Sequence, residues 1–301
     1  MSVDPVLLTG GTGFVGGALL QRLAAEGRPL RSLVRTDAAA DAVSALGATP
    51  VRGDVLDERS LREAISGCAS VFHVAGVNAM CRRDPSAMVR TNVEGPANVI
   101  RAAAVAGAGR VVVTSSAAAI GEARGTVGRE DSPHRGSYLS SYERSKHLGE
   151  RNALALGRKL GLDVVCVNPA SVQGPGRVEG TARLLLELVR GRLPALVDTT
   201  ISIVDVADCT EGHLLAERRG VAGERYVLSG ATVTTREAVA LVRSLWGRPD
   251  RVRWIPLSLA RAGGAGAEMV GRLLRRDLPV CREAVRTLLH GHRYDGSRAE
   301  R

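Results

Sequence analysis

Tyr142 and Lys146, in the stretch SYERSKH, are the residues of this 301-residue chain whose types and spacing point first to chemistry. Four apart on a helix, they project from one face. An ammonium beside a phenol favours the phenolate and lowers the phenol from its reference of about 10. Tyr142 could then serve as a general acid or base near neutral pH, and Lys146 could also donate to ribose hydroxyls. The lysine stands out because the chain has only two, Lys146 and Lys159, among 41 Lys plus Arg. A guanidinium is planar, broader and too basic for the same role. Tyr-x-x-x-Lys also arises by chance, so its surroundings decide. Ser115 and Ser116 end the apolar run RVVVTSS and place hydroxyls where charge could develop on a substrate oxygen. Neither lies in a G-x-S-x-G elbow, and each could simply cap the next segment.

A glycine turn supplies the second signal. LLTGGTGFVGG sets Gly10, Gly11, Gly13 and Gly16 between an apolar run and a helical pattern. Such glycines permit a tight turn and let backbone N–H groups approach a pyrophosphate at a helix N-terminus. The next strand ends in Arg35 rather than an acidic residue. That favours a 2′-phosphate, so NADP(H) is preferred, with NAD(H) as the alternative. Asp37 close by could reverse this. Asp54, after a third strand, is placed to accept from an adenine amino group, or merely caps a turn.

These residues need a scaffold that brings strand ends together. Apolar runs at PVLLTGG, PLRSLVR, TPVRGDV, SVFHVAG, RVVVTSS and LDVVCVNPA alternate with helical stretches. That alternation predicts an α/β, Rossmann-type, doubly wound parallel sheet buried on both faces. Beyond Gly174 the pattern loosens, and a smaller C-terminal substrate-binding region interleaves with the first. The boundaries are 1–172 and 205–229 for the nucleotide-binding domain, and 173–204 and 230–301 for the substrate region. The basic stretch GRLLRRDLPVCREAVRTLLHGHR reads as amphipathic helix.

Composition narrows the classes. The formal charge is +10, yet no dense basic run is interleaved with aromatics, so nucleic acid is not the expected partner. The five cysteines form no CxxC or Cys/His cluster, so neither a metal site nor a disulfide framework is expected. An unpatterned odd count fits a reducing cytoplasm. No signal peptide or membrane span is read.

With these residues in place, the chain resembles the extended short-chain dehydrogenases/reductases. TGGTGFVGG, GDV, FHVAG, TNVEGPANV, VVVTSSAAAIG, YERSK and VNPASVQGPG follow that family's order and spacing. VNPASVQGPG is similar to the dihydroflavonol-reductase and 3β-hydroxysteroid-dehydrogenase branch, and also to hopanoid-associated sugar epimerase-like proteins. The resemblance implies Tyr142 as acid/base, Lys146 as its tuning and ribose-binding partner, and Ser116 ahead of Ser115 as the substrate-orienting hydroxyl. It implies cofactor contacts from Gly10, Thr12, Gly13, Phe14, Val15 and Gly16, from Arg35, Asp54 and Val55, and from Val74, Ala75 and Gly76. Asn92, Thr114, Asn168, Pro169 and Ser171 complete that set, and His73 is read as structural. The expected activity is ketone reduction or secondary-alcohol oxidation on a small, largely apolar molecule near Leu193, Leu196, Trp254 and Leu257. The rival is a nucleotide-sugar epimerase or dehydratase with retained NAD, where Arg177 and Arg183 could hold a diphosphate. A non-catalytic nucleotide sensor is a third reading. A homodimer is a family expectation.

Overall fold

The computed structural model describes residues 5–247, 252–278 and 280–301. Its first half alternates β1 (Val6–Thr9), α1 (Phe14–Ala25), β2 (Leu30–Val34), α2 (Asp37–Ser44), β3 (Thr49–Arg52), α3 (Glu58–Ile65), β4 (Ser70–His73), α4 (Ser86–Ala106), β5 (Arg110–Thr114), α5 (Ser141–Leu160) and β6 (Asp163–Pro169). A 3₁₀ turn at Ala117–Ile120 follows β5. The rest comprises β7 (Ser171–Gln173), α6 (Thr181–Val189), β8 (Ala195–Leu196), β9 (Thr200–Asp205), α7 (Val206–Arg219), β10 (Arg225–Leu228), β11 (Ala231–Thr234), α8 (Thr235–Trp246), β12 (Arg253–Trp254), α9 (Leu257–Leu273), α10 (Arg282–His290) and α11 (Ser297–Glu300).

Seven strands form one parallel sheet in the order β10-β6-β5-β4-β1-β2-β3. The chain starts in β1, winds outward to β3, then crosses back to β4, so the switch point lies between β1 and β4. In such sheets ligands bind outside the carboxyl ends of the strands at that point. Both faces are covered. One core packs Leu8, Leu19, Leu20, Phe72, Val112 and Leu214; the other packs Leu7, Leu61, Val71, Ile100, Val111 and Val164. Burying each such side chain stabilises the fold by roughly 1.5–3 kcal/mol. The continuous apolar runs of the sequence are therefore strands with no solvated face, except the edge strand β3, which is exposed at both ends.

The later segments build two small sheets, β11-β9-β7 and β12-β8. Helix α7 and strand β10 return to the main sheet between them, β10 pairing in parallel with β6. The basic stretch expected as one amphipathic helix is divided: α9 stops at Leu273 and α10 starts at Arg282. Arg275 adopts a left-handed φ of 51° in the break. Pro279 of that stretch lies outside the described residues.

The cysteine reading needs correction. Cys81, in the segment after β4, is bonded to Cys281 before α10, with Cα atoms 5.5 Å apart. The two are separated by 200 residues, so local spacing carried no sign of the pair. Cys68, Cys166 and Cys209 are free and buried. Among the described residues, no helix is long and apolar enough to cross a membrane.

Candidate active site

The cleft begins at the glycine turn. Gly10 has φ +79°, and a Cβ there would lie 2.7 Å from the Ala75 backbone nitrogen. A Cβ on Gly16 would lie 2.1 Å from the Gly10 carbonyl oxygen. The turn can therefore close against β4 and against α1 only with glycine at both positions. Helix α1 starts at Gly13 without a side-chain cap. Its first N–H groups are left to an outside acceptor, which suits an anion.

One cavity of about 1030 Å³ runs from this turn along the carboxyl ends of the sheet. Gly10, Thr12, Gly13, Phe14, Val15 and Gly16 line it at one end, with Arg35, Asp54 and Val55 beside them. Val74, Ala75 and Gly76 form its middle, and Thr114, Ser116, Tyr142, Lys146, Pro169 and Ser171 its far wall. The donor set fits a dinucleotide: a bare helix N-terminus, a cradle that side chains would fill, and a cation at the outer end. Arg35 is 77% exposed at its side chain and lies 3.8 Å from Asp54. Asp37, the residue that could have reversed the cofactor preference, is paired with Arg52 instead.

Two expected cofactor contacts are not in the cleft wall. Asn92 is buried, and its amide is fully used: Oδ1 accepts from Val77 N at 2.8 Å, while Nδ2 donates to Val77 O at 2.8 Å and Ser145 Oγ at 2.9 Å. It ties the segment after β4 to α5. Asn168 is also buried, donating to Ser116 O at 3.0 Å and to Glu150. It steadies the serine from behind. Both act on the site through other residues.

Helix α5 carries Tyr142 and Lys146. Ser140 caps it, accepting from Glu143 N at 3.2 Å. Burial raises the Tyr142 phenol above its ordinary 10.0; a hydrogen bond with Ser116 and the charge of Arg177 act the other way. The net shift is upward, and Lys146, expected to lower this phenol, is not among the groups that shift it. Lys146 Nζ donates to Thr114 O at 3.1 Å and is itself held down to about 8 by desolvation, against the opposing charges of Glu150 and Cys166. Of the two serines, Ser116 is the one that acts to lower the phenol. Ser115 also lines the cleft, and its buried Oγ has no hydrogen-bond partner.

His73 lies behind the wall, with Nδ1 2.9 Å from Thr9 Oγ1. Desolvation first, then Lys146, lowers it to about 3, so it stays neutral. Its reading as structural agrees with this placement.

The substrate half differs from expectation. Leu193, Leu196, Trp254 and Leu257 do not line the cavity; Leu196 and Trp254 pair in the small β12-β8 sheet. Its apolar wall is Val172, Leu184, Ile201, Val285 and Leu288 instead. Those positions come from four separate segments, β7, α6, β9 and α10, which spacing alone does not unite. Arg177 does enter the cleft, stacking over Phe14 at 5.0 Å, whereas Arg183 does not. His292 and Tyr294 also reach the wall, and the sequence reading missed them. The alternation HGHRYD, which sends every second residue to one side of an extended segment, was the available signal.

Comparison with known proteins agrees with this geometry. The model of the NAD dependent epimerase/dehydratase family matches residues 6–229. The chain is 33% identical to a Synechocystis sp. protein provisionally named dihydroflavonol 4-reductase, over 98% of this chain and 88% of that one. It is 33% identical, over 92% of this chain and 84% of the other, to the Stigmatella aurantiaca 4-hydroxy-2-methyl-3-oxo-4-farnesyl-3,4-dihydroquinoline-1-oxide ketoreductase. The crystal structure of gox2253 superposes with a TM-score of 0.85 at 31% identity, covering 99% of this chain and 91% of that one.

Proposed function

The chain belongs to the NAD-dependent epimerase/dehydratase family and is an oxidoreductase, and from that premise we propose that it reduces a ketone on a small, largely apolar molecule with NADPH. The observation that carries this reading is the meeting of the glycine turn, Ser116, Tyr142 and Lys146 on one cavity. Gly13 to Gly16 and Arg35 would hold the dinucleotide, which when bound would supply the hydride for the carbonyl carbon. Tyr142 gives its proton to the carbonyl oxygen. A phenol held above its ordinary value is protonated at neutral pH, as a proton donor must be. Ser116 donates to the same oxygen as charge builds on it. Lys146, anchored on Thr114 O, presents its remaining N–H groups toward the ribose side near Gly76.

Preference for NADPH rests on Arg35, a charged fork at the outer end of the cleft with no acidic residue replacing it on β2. The ketoreductase relative and the apolar wall support an apolar substrate. A second reading, epimerisation of a nucleotide sugar with retained NAD, is favoured by Arg177, which could meet a diphosphate. The test is NADPH consumption against a panel of 3-oxo acids and aryl ketones. Ketone-dependent oxidation that falls by about 10²–10⁴ in Tyr142→Phe, with NADPH affinity kept, is expected. Protein that purifies with NAD, ignores every ketone and turns over a nucleotide sugar contradicts it.

A further inference from the structure

At the substrate end of the cleft lies a second group of polar side chains that ketone reduction does not use. Glu122 follows the 3₁₀ turn after β5; His290 ends α10, and His292 lies two residues beyond. Glu122 Oε1 is 2.7 Å from His292 Nδ1 and 3.5 Å from His290 Nε2. The side chains are 1%, 18% and 6% exposed for Glu122, His292 and His290. One donor atom from each lies within 4.8 Å of the others. Three buried atoms here have no hydrogen-bond partner: Glu122 Oε2, His290 Nε2 and His292 Nε2.

Apart from the two imidazoles, the Glu122 carboxylate has no ion-pair partner among the described residues. Arg135 pairs with Glu143 and gives Glu122 only a hydrogen bond to its backbone oxygen, at 3.0 Å. A buried carboxylate is costly unless a cation meets it. Tyr294 Oη, 3.0 Å from His292 Nδ1, brings no charge. The balance falls to the two imidazoles or to an ion held among them.

We propose that Glu122, His290 and His292 bind one divalent transition-metal ion of the zinc type. One carboxylate and two imidazoles form the mixed N/O set such ions take, whereas Mg²⁺ and Ca²⁺ want oxygen throughout. In a tetrahedral site with bonds of about 2.0–2.1 Å, neighbouring donors stand roughly 3.3 Å apart. The two distances to Glu122 Oε1 bracket that value. Three protein ligands leave a fourth position, which water from the cleft or Tyr294 Oη would fill, since His292 and Tyr294 line the cavity. The ion would fasten the segment following α10 to the segment following β5 at the end of the substrate cavity. This assignment stands independently of the ketone reading.

Co²⁺ is the probe, because its visible absorption reports coordination number. Chelator-stripped full-length protein is titrated with Co²⁺, and the bound ion is then displaced with Zn²⁺. One equivalent with tetrahedral-type bands is expected in the wild type. Glu122→Gln and His292→Asn should each weaken binding by at least about a hundredfold, more than the loss of an outer-shell partner costs. His213→Gln, a buried histidine outside the cluster, should bind as the wild type does. A folded wild type that takes up no stoichiometric Co²⁺ or Zn²⁺ overturns the proposal, and that outcome does not depend on any variant folding. Uptake that survives in both ligand variants overturns it as well.

Discussion

The acid/base role proposed for Tyr142 depends on what surrounds it rather than on its own kind. The Tyr-x-x-x-Lys spacing was legible, and so were the serines at the end of β5, because helix and strand periods fix which residues share a face. What spacing could not give was the direction of the phenol's shift. That depends on burial, and burial is set by segments far away in the chain. Under the proposed function, Arg35 is the residue on which cofactor choice would turn. Its replacement by alanine should weaken NADPH about 10–100-fold in a fluorescence titration while leaving NADH nearly unchanged, since a hydrogen bond to a charged group contributes about 1.5–3 kcal/mol. His213 makes a different prediction. It bonds Thr114 Oγ1 at 2.8 Å and Cys209 O at 2.6 Å, and desolvation lowers it from 6.5 to about 4. Between those values the unfolded chain takes up a proton that the folded histidine refuses, so stability falls as pH falls through that window. The loss is at most about 1.4 kcal/mol per pH unit. Urea midpoints from pH 7 to 4.5 should therefore decline less steeply in a folded His213→Gln variant than in the wild type.

Secondary elements decide how the cleft is shaped. Five of the six early strands were readable as Val- or Leu-rich buried runs; β3, the edge strand TPVR, and β10, within GERYVLSG, are less buried and were read from their place in the alternation. Of the small sheets only β9 was legible, its TISIVD run reading as a strand. Strands β7 and β11 have only intermediate or exposed positions and are defined by pairing between distant segments. That is also why Leu193 and Trp254 were expected at a site they do not reach. Asn92 and Asn168 belong to this scale, since each locks one element to another and serves the cleft from behind. The β1-to-α1 turn makes the clearest element-level prediction. In Gly16→Ala the new methyl meets the Gly10 carbonyl at 2.1 Å, so the turn must move. The expected result is a stability loss of about 1–3 kcal/mol by thermal unfolding, with NADPH affinity reduced at least tenfold.

Across the whole molecule, the C-terminal segment bearing α10 is fastened to the segment after β4 and to the start of α5. Cys81 is bonded to Cys281, and Glu283 of α10 accepts from Cys81 N at 2.6 Å and from Ser141 N, beside Tyr142, at 2.9 Å. Closing so long a loop restricts the unfolded chain, so Cys81→Ser should lower unfolding free energy by about 3–5 kcal/mol in urea titrations of oxidised protein. An unchanged midpoint would mean that the bond adds nothing to stability. The central claim concerns the reaction itself: one cleft holds an exchangeable nicotinamide beside Tyr142 and passes hydride to a ketone. The most direct measurement supplies NADPH deuterated at the transferable position together with a 3-oxo substrate, and reads the product alcohol by mass spectrometry. The account predicts one deuterium on the new carbinol carbon and one NADP⁺ per alcohol. Alcohol without deuterium, or no alcohol beside a nucleotide sugar epimerised on retained NAD, would contradict it.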